Sequence, residues 1–203
     1  MSVKTVKNKS YIIGLTGGIA TGKSTAANYF AKKNIPVIDS DLIVKTLWKN
    51  NIKMKSEAEM LFGFTINQKN DFKKIATLIF NDKKLRMKLN DLIHPYVFLE
   101  IEKELKALKD HPIIVIDMPL LFEVGYEKKC DIVCLVYISK QTQLNRLMIR
   151  DQISIEQATK KIEAQMDIEH KKLKADVILD NEAEIDYLYF QIDQFIKGVQ
   201  NEK

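Results

Sequence analysis

Cysteine is scarce in this chain, with 2 among 203 residues. Cys130 and Cys134 flank Asp131-Ile132-Val133 with no second pair, which excludes a structural zinc site and leaves two buried strand thiols. Histidine is nearly as sparse, and His94, His111 and His170 form no metal-like cluster. No apolar run reaches the ~18 residues that a membrane-spanning helix needs. The longest, Ile132–Ile138, has the length of a buried strand. Met1 to Ser10 is polar and Lys-rich and lacks the apolar middle of a signal peptide. It reads as a flexible extension, and a cytoplasmic location is expected. There is no internal repeat and no low-complexity segment. Charge of one sign is not gathered either. The net charge of +5 suits a handler of polyphosphate ligands, but the lysines are interspersed with Asp and Glu. Neither a nucleic acid nor a membrane is therefore expected as a partner.

Against these absences stands Gly17-Gly18-Ile19-Ala20-Thr21-Gly22-Lys23-Ser24, which satisfies G-x-x-x-x-G-K-[ST] just after the apolar run Tyr11–Leu15. Strand, loop and helix start agree, so this is a phosphate-binding loop in its required context. Triphosphate needs many donors at close range. Glycines let backbone N–H groups approach its oxygens, and a helix beginning near Lys23 points its positive end at them. Lys23 adds a mobile point charge, and Ser24 offers a hydroxyl to Mg²⁺.

Strand candidates recur at Tyr11–Leu15, Pro36–Ile38, Ile113–Ile116, Val133–Ile138 and Val177–Leu179, with helical patterns between them. The continuous apolar runs suit a sheet covered on both faces, and the alternation predicts an α/β fold with a doubly wound parallel five-stranded sheet. Two segments break the rhythm. From Leu42 to Lys109 there is only helical periodicity, as in Ile75, Leu78, Ile79 and Leu85, Leu89, Leu92, Ile93. Gln141 to Lys174 reads as two helices around Asp151–Ser154, with a capping box at Ser154 and Gln157. The expected organisation is a nucleotide-binding core (residues 11–45, 110–140 and 172–203), a helical substrate lobe (46–109) and a lid (141–171), after the extension at 1–10.

A phosphate loop alone does not fix the reaction. Asp39 and Asp41 close the second strand in Val37-Ile38-Asp39-Ser40-Asp41. If the chain stays extended, both share one face, and a strand neighbouring the loop strand brings a carboxylate toward the γ-phosphate. Asp41 then reads either as the base for an acceptor hydroxyl or as a helix cap, and Asp39 as a structural or Mg²⁺-associated group. Ile113–Ile116 followed by Asp117 has the form of a strand whose terminal carboxylate supports Mg²⁺. Arg146 and Arg150 lie four apart on one helix face and can close over ATP, unless they form a solvated face with Asp151. Neither N-K-x-D nor a D-x-x-G switch occurs, which excludes a GTPase. A small-substrate kinase is the better reading, with a nucleoside or nucleotide kinase and a regulatory nucleotide-binding module as rivals.

Together these pieces resemble the dephospho-CoA kinases. The resemblance runs from about Ile12 to Asn181 through Gly14–Thr25, Val37–Asp41, Phe62-Gly63, His94-Pro95, Asp117–Glu123, Gln143, Arg146, Arg150-Asp151, Gln165-Met166 and Ala175-Asp176. It implies ATP-dependent phosphorylation of the ribose 3′-hydroxyl of dephospho-CoA, with ATP and Mg²⁺ as cofactors. The sequence does not fix the oligomeric state, and a monomer is the expectation. The resemblance implies that Asp41 is the base and that the 46–109 lobe binds CoA, with His94, Leu121, Phe122 and Glu123 bordering that site. It implies that Gly17, Gly18, Ile19, Ala20, Thr21, Gly22, Lys23, Ser24 and Thr25 hold ATP, and that Arg146 and Arg150 come from the lid. Four departures stand out. Ala20 and Thr21 occupy positions where the family often has Gly and Ser. Asp71-Phe72 fills a region that often carries Arg. Gln152 replaces a usual Gly, and Glu182-Ala183 follows Asn181 without the expected Gly.

Overall fold

A computed structural model describes residues 10–201. The extension expected at residues 1–10 lies outside the described residues apart from Ser10, whose hydroxyl donates to the His111 carbonyl at 2.7 Å. The first strand, β1 (Tyr11–Gly17), leads through the phosphate loop into helix α1 (Lys23–Lys32) and then strand β2 (Val37–Asp39). A helical run follows: α2 (Ser40–Asn50), α3 (Ile52–Phe62), α4 (Lys69–Asn81) and α5 (Lys83–Ala107). Strand β3 (Ile113–Asp117), a 3-10 turn at Tyr126–Lys129 and strand β4 (Ile132–Tyr137) return the chain to the sheet. Helices α6 (Lys140–Asp151), α7 (Ile155–Glu163) and α8 (Ile168–Lys174) precede β5 (Val177–Asp180) and the terminal α9 (Ile185–Asn201).

The five strands form one sheet in the order β2-β3-β1-β4-β5, with β1 parallel to both β3 and β4, and β4 parallel to β5. Every residue of β3 is buried, as is all of β1 after Tyr11, so both faces of the sheet centre are covered. One face packs Ile13, Leu15, Val115, Cys134 and Val136 against Ala26 and Phe30 of α1 and Leu188, Ile192 and Ile196 of α9. Full burial of a side chain such as Phe30 stabilises by about 1.5–3 kcal/mol before packing is counted. Cys134 is the buried strand thiol the sequence suggests, whereas half-buried Cys130 precedes β4. Burial pushes the Cys130 thiol up to about 12, so it is chemically quiet at neutral pH.

The chain divides into two compact units, Asp39–Ala107 and the rest. In the smaller unit, α5 buries Leu89, Ile93, Val97 and Ile101, a stripe repeating every four residues, and carries Pro95 within its length. Two expectations need correction. Residues 141–174 form three helices, because Asp167 caps a further start by accepting from the Glu169 amide at 2.9 Å. The chain also does not stay extended from Asp39 to Asp41. Asp39 is the N-cap of α2, accepting from the amides of Asp41 (2.8 Å) and Leu42 (3.0 Å), so the two carboxylates do not share a strand face.

Candidate active site

The phosphate loop is held by side chains that lie far away in sequence. Gln143 of α6 donates from Nε2 to the Ile19 carbonyl (2.8 Å), and Gln165, between α7 and α8, accepts from the Ile19 amide (2.9 Å). Asn181, just after β5, donates from Nδ2 to the Thr21 carbonyl (2.8 Å). Within the loop, the Thr21 hydroxyl donates to the Gly18 carbonyl at 2.9 Å. These contacts explain two of the glycines. A Cβ on Gly18 would collide with the Gln143 amide, and one on Gly22 would collide with that of Asn181. Gly22 also has a φ of 90°, a left-handed conformation that side chains resist. Ala20 accepts a φ of 63° without glycine's freedom, so the family's frequent Gly is replaced at a strained position.

Gly22 is the N-cap of α1 and no side chain caps that end, so the helix start offers backbone donors to an anion. Ser24 is exposed in the first turn. The Lys23 ammonium is paired with the Asp117 carboxylate. Asp117 stands opposite Leu15 in the β1–β3 register and is 5% exposed. This is the position beside the loop strand that its sequence context asks for. The neighbour of β1 on that side is β3 and not β2, which lies one strand further out.

Arg146 and Arg150 of α6 have different surroundings. Arg146 is half-buried and donates to the Asn181 carbonyl at 3.0 Å, which ties it to a residue that grips the loop. Arg150 is exposed and its Nε pairs with Asp151 at 2.8 Å. Arg150 and Lys161 together pull the Asp151 carboxyl down to about 2. In the Asp117–Glu123 segment, Leu121 is fully buried and packs toward Gly14, so it supplies core. Phe122 is also buried, with the Lys174 ammonium 5.5 Å from its ring centroid. Glu123 accepts from the Met166 amide (2.8 Å) and pairs with Lys171 (2.9 Å).

In the smaller unit, Asp41 is exposed in the first turn of α2. His94 of α5 is half-buried and stacked on Phe98, with ring centroids 5.9 Å apart. Burial holds its pKa below the ordinary value, against the opposing charge of Asp91. Asp71 takes the amides of Asn67 and Gln68 as a helix-start cap, and Phe72 packs edge-on against Trp48. The region that often carries Arg in the resembled family thus holds a cap and an aromatic pair.

A sequence profile described as dephospho-CoA kinase matches residues 11–186. The dephospho-CoA kinase of Fusobacterium nucleatum is 40% identical over 191 residues, covering 93% of this chain and 98% of that protein. This chain belongs to the dephospho-CoA kinase family. Among solved structures, a protein from Thermus thermophilus superposes with a TM-score of 0.80 at 29% identity, covering 96% of this chain and 98% of the other. A dephospho-CoA kinase from Campylobacter jejuni follows at a TM-score of 0.69 and 27% identity, covering 94% and 98%. Membership makes the chain an ATP-using phosphotransferase of the last step of coenzyme A biosynthesis.

Gln143, Gln165 and Asn181 belong to the stretches that carry the resemblance, where the sequence assigns them no role. They turn out to be the residues that fix the loop backbone. Single amide side chains on a helix, in an inter-helix turn and after a strand carry no periodic signal, so their function emerges only from contacts. Lys171 has no mark in the sequence, since Lys171-Lys172-Leu173-Lys174 reads as a solvated cationic face. It is fully buried.

Proposed function

We propose that the loop residues Gly17 to Thr25 hold the phosphates of ATP and that Asp41 deprotonates the ribose 3′-hydroxyl of dephospho-CoA. One observation carries the donor half of this reading: Lys23 and Asp117 meet where β1 and β3 run side by side, at the foot of an uncapped helix start. Lys23 exchanges the Asp117 carboxylate for phosphate oxygens when nucleotide binds. Ser24 and Asp117 are the residues that would hold Mg²⁺. A hydroxyl and a single carboxylate fit a cation that binds through few protein oxygens and takes the rest from phosphate and water. No group of three or more His, Cys, Asp or Glu that would suit a different metal occurs among the described residues. Mg²⁺, when bound, neutralises charge on the phosphates.

The chain's own residues supply the remaining steps. The 3′-oxygen attacks the γ-phosphorus, its bond to the β,γ-bridging oxygen breaks, and the hydroxyl proton passes to the Asp41 carboxylate. Asp41 is assigned as the base because it is exposed in the first helical turn just beyond a strand's carboxyl end, the side on which open α/β sheets bind ligands, and Asp39 is assigned as the cap of α2. Lys23 and Arg146 stabilise the charge that spreads over the transferred group. Arg150 joins them by leaving Asp151. Residues 46–109 form the CoA-binding lobe, with His94, Phe122 and Glu123 bordering the acceptor, and residues 141–171 act as the lid.

The test is a product assay. Purified protein with ATP, Mg²⁺ and dephospho-CoA should yield coenzyme A and ADP in equal amounts, while nucleosides and nucleotides are left unphosphorylated. ADP release that ignores dephospho-CoA, or transfer to a nucleoside instead, would overturn the reading.

A further inference from the structure

The fully buried Lys171 forms no part of the proposed transfer, yet it sits within a polar chain that begins and ends at the phosphate loop. Its ammonium donates to the Pro119 carbonyl (2.7 Å) and pairs with Glu123 (2.9 Å). The Pro119 carbonyl also accepts from the hydroxyl of Thr16, at the end of β1 next to Gly17 (3.2 Å). The Glu123 oxygen that meets Lys171 also accepts from the Met166 amide (2.8 Å). Met166 adjoins Gln165, whose side chain holds the Ile19 amide (2.9 Å). Thr16, Pro119, Lys171, Glu123, the Gln165-Met166 turn and Ile19 therefore close a ring around the first half of the loop.

We infer that the Lys171–Glu123 pair is a positioning device: it locks the Gln165-Met166 turn to the segment after β3 and so holds the loop backbone in its phosphate-binding shape. Lys171 is a positioning residue and contacts no substrate. A buried ammonium is costly unless paired and hydrogen-bonded; both partners of Lys171 lie in the segment after β3, and one of them, Glu123, also holds the Met166 amide and so joins that segment to the turn. Burial lowers its pKa, while the charge of Glu123 and the hydrogen bond to it oppose the shift. A lysine kept only for stability has no need of a ring returning to both Thr16 and Ile19.

This inference rests on the kinase reading, and the test separates the two. Wild-type protein is first shown to make coenzyme A; failure there overturns the kinase reading alone. Calorimetric titration with ATP and Mg²⁺ in the absence of acceptor, together with hydrogen exchange at the Ile19 amide, then tests the ring in the full chain. Lys171→Met should weaken ATP binding about tenfold or more and expose the Ile19 amide to exchange, with core amides such as Ile13 and Val136 still protected. Lys171→Arg should restore both. Gln165→Ala, at a half-buried position, provides a second variant should Lys171→Met fail to fold, and it should weaken ATP binding in the same direction. If folded Lys171→Met keeps normal ATP affinity and Ile19 protection, or if it fails to fold and Gln165→Ala binds ATP like wild type, the inference is wrong.

Discussion

The phosphate loop and the helical unit Asp39–Ala107 are stabilised in contrasting ways. Around the loop, the deciding hydrogen bonds join residues far apart in sequence: Gln143 and Gln165 to Ile19, and Asn181 to Thr21. In the helical unit, the side-chain bonds are largely local. Asp39 caps α2, Asn51 caps α3, Glu59 holds the Ile66 amide, and Asp71 closes the start of α4. Its Tyr96–Glu57 bond is a longer-range exception. The difference teaches how the two tasks are met. A loop that must present donors to a triphosphate before it arrives needs a backbone fixed from several directions. A helical unit built from capped segments needs only to keep each helix formed and its apolar stripe packed.

Five substitutions test that contrast, from the largest effect down. Lys23→Ala should lower kcat about 10³-fold, because it removes a charge aimed at the transferring phosphoryl group. Circular dichroism should show the fold retained. Gly22→Ala should lower kcat/KM for ATP about 10²-fold, since the Cβ meets Asn181 and the φ of 90° resists a side chain. A near-normal value would mean that Asn181 and the loop yield easily and that the loop is not rigidly fixed. Arg146→Ala should cost more in kcat than Arg150→Ala, because Arg146 is anchored to Asn181 while Arg150 lies exposed against Asp151. The reverse order would show that the anchor does not matter. Gln152→Gly should stabilise the fold slightly, by about 1 kcal/mol, because Gln152 sits at a φ of 53°. Thermal unfolding reads this as a raised midpoint with kcat unchanged.

How far each part was legible follows from the same contrast. The loop, its strand and its helix announce themselves through a contiguous motif, and Asp117 through an apolar run ending in a carboxylate. What the run could not convey was its neighbour; the β1–β3 register supplies that. Asp39 and Asp41 were half legible. Their residue types were right for the end of a strand, but only the structure shows Asp39 turning the chain into a helix at Ser40. The third helix of residues 141–174 was hidden because Asp167 is one acidic residue in a charged stretch, and nothing marks it as a cap. Lys171 was illegible for a deeper reason. Sequence reading assigns lysines to solvent, and this one is buried by the fold and matched by Glu123, 48 positions earlier.

In the proposed reaction Asp41 readies the acceptor hydroxyl while the loop holds the donor independently. Asp41→Asn keeps the size of the side chain and removes its charge together with its ability to take a proton. Its kcat, measured alongside its ATP dissociation constant, should fall at least about 10²-fold with the dissociation constant within a factor of about two. Turnover near the wild-type value would contradict the assignment, and a matching loss of ATP affinity would show that Asp41 serves the donor instead.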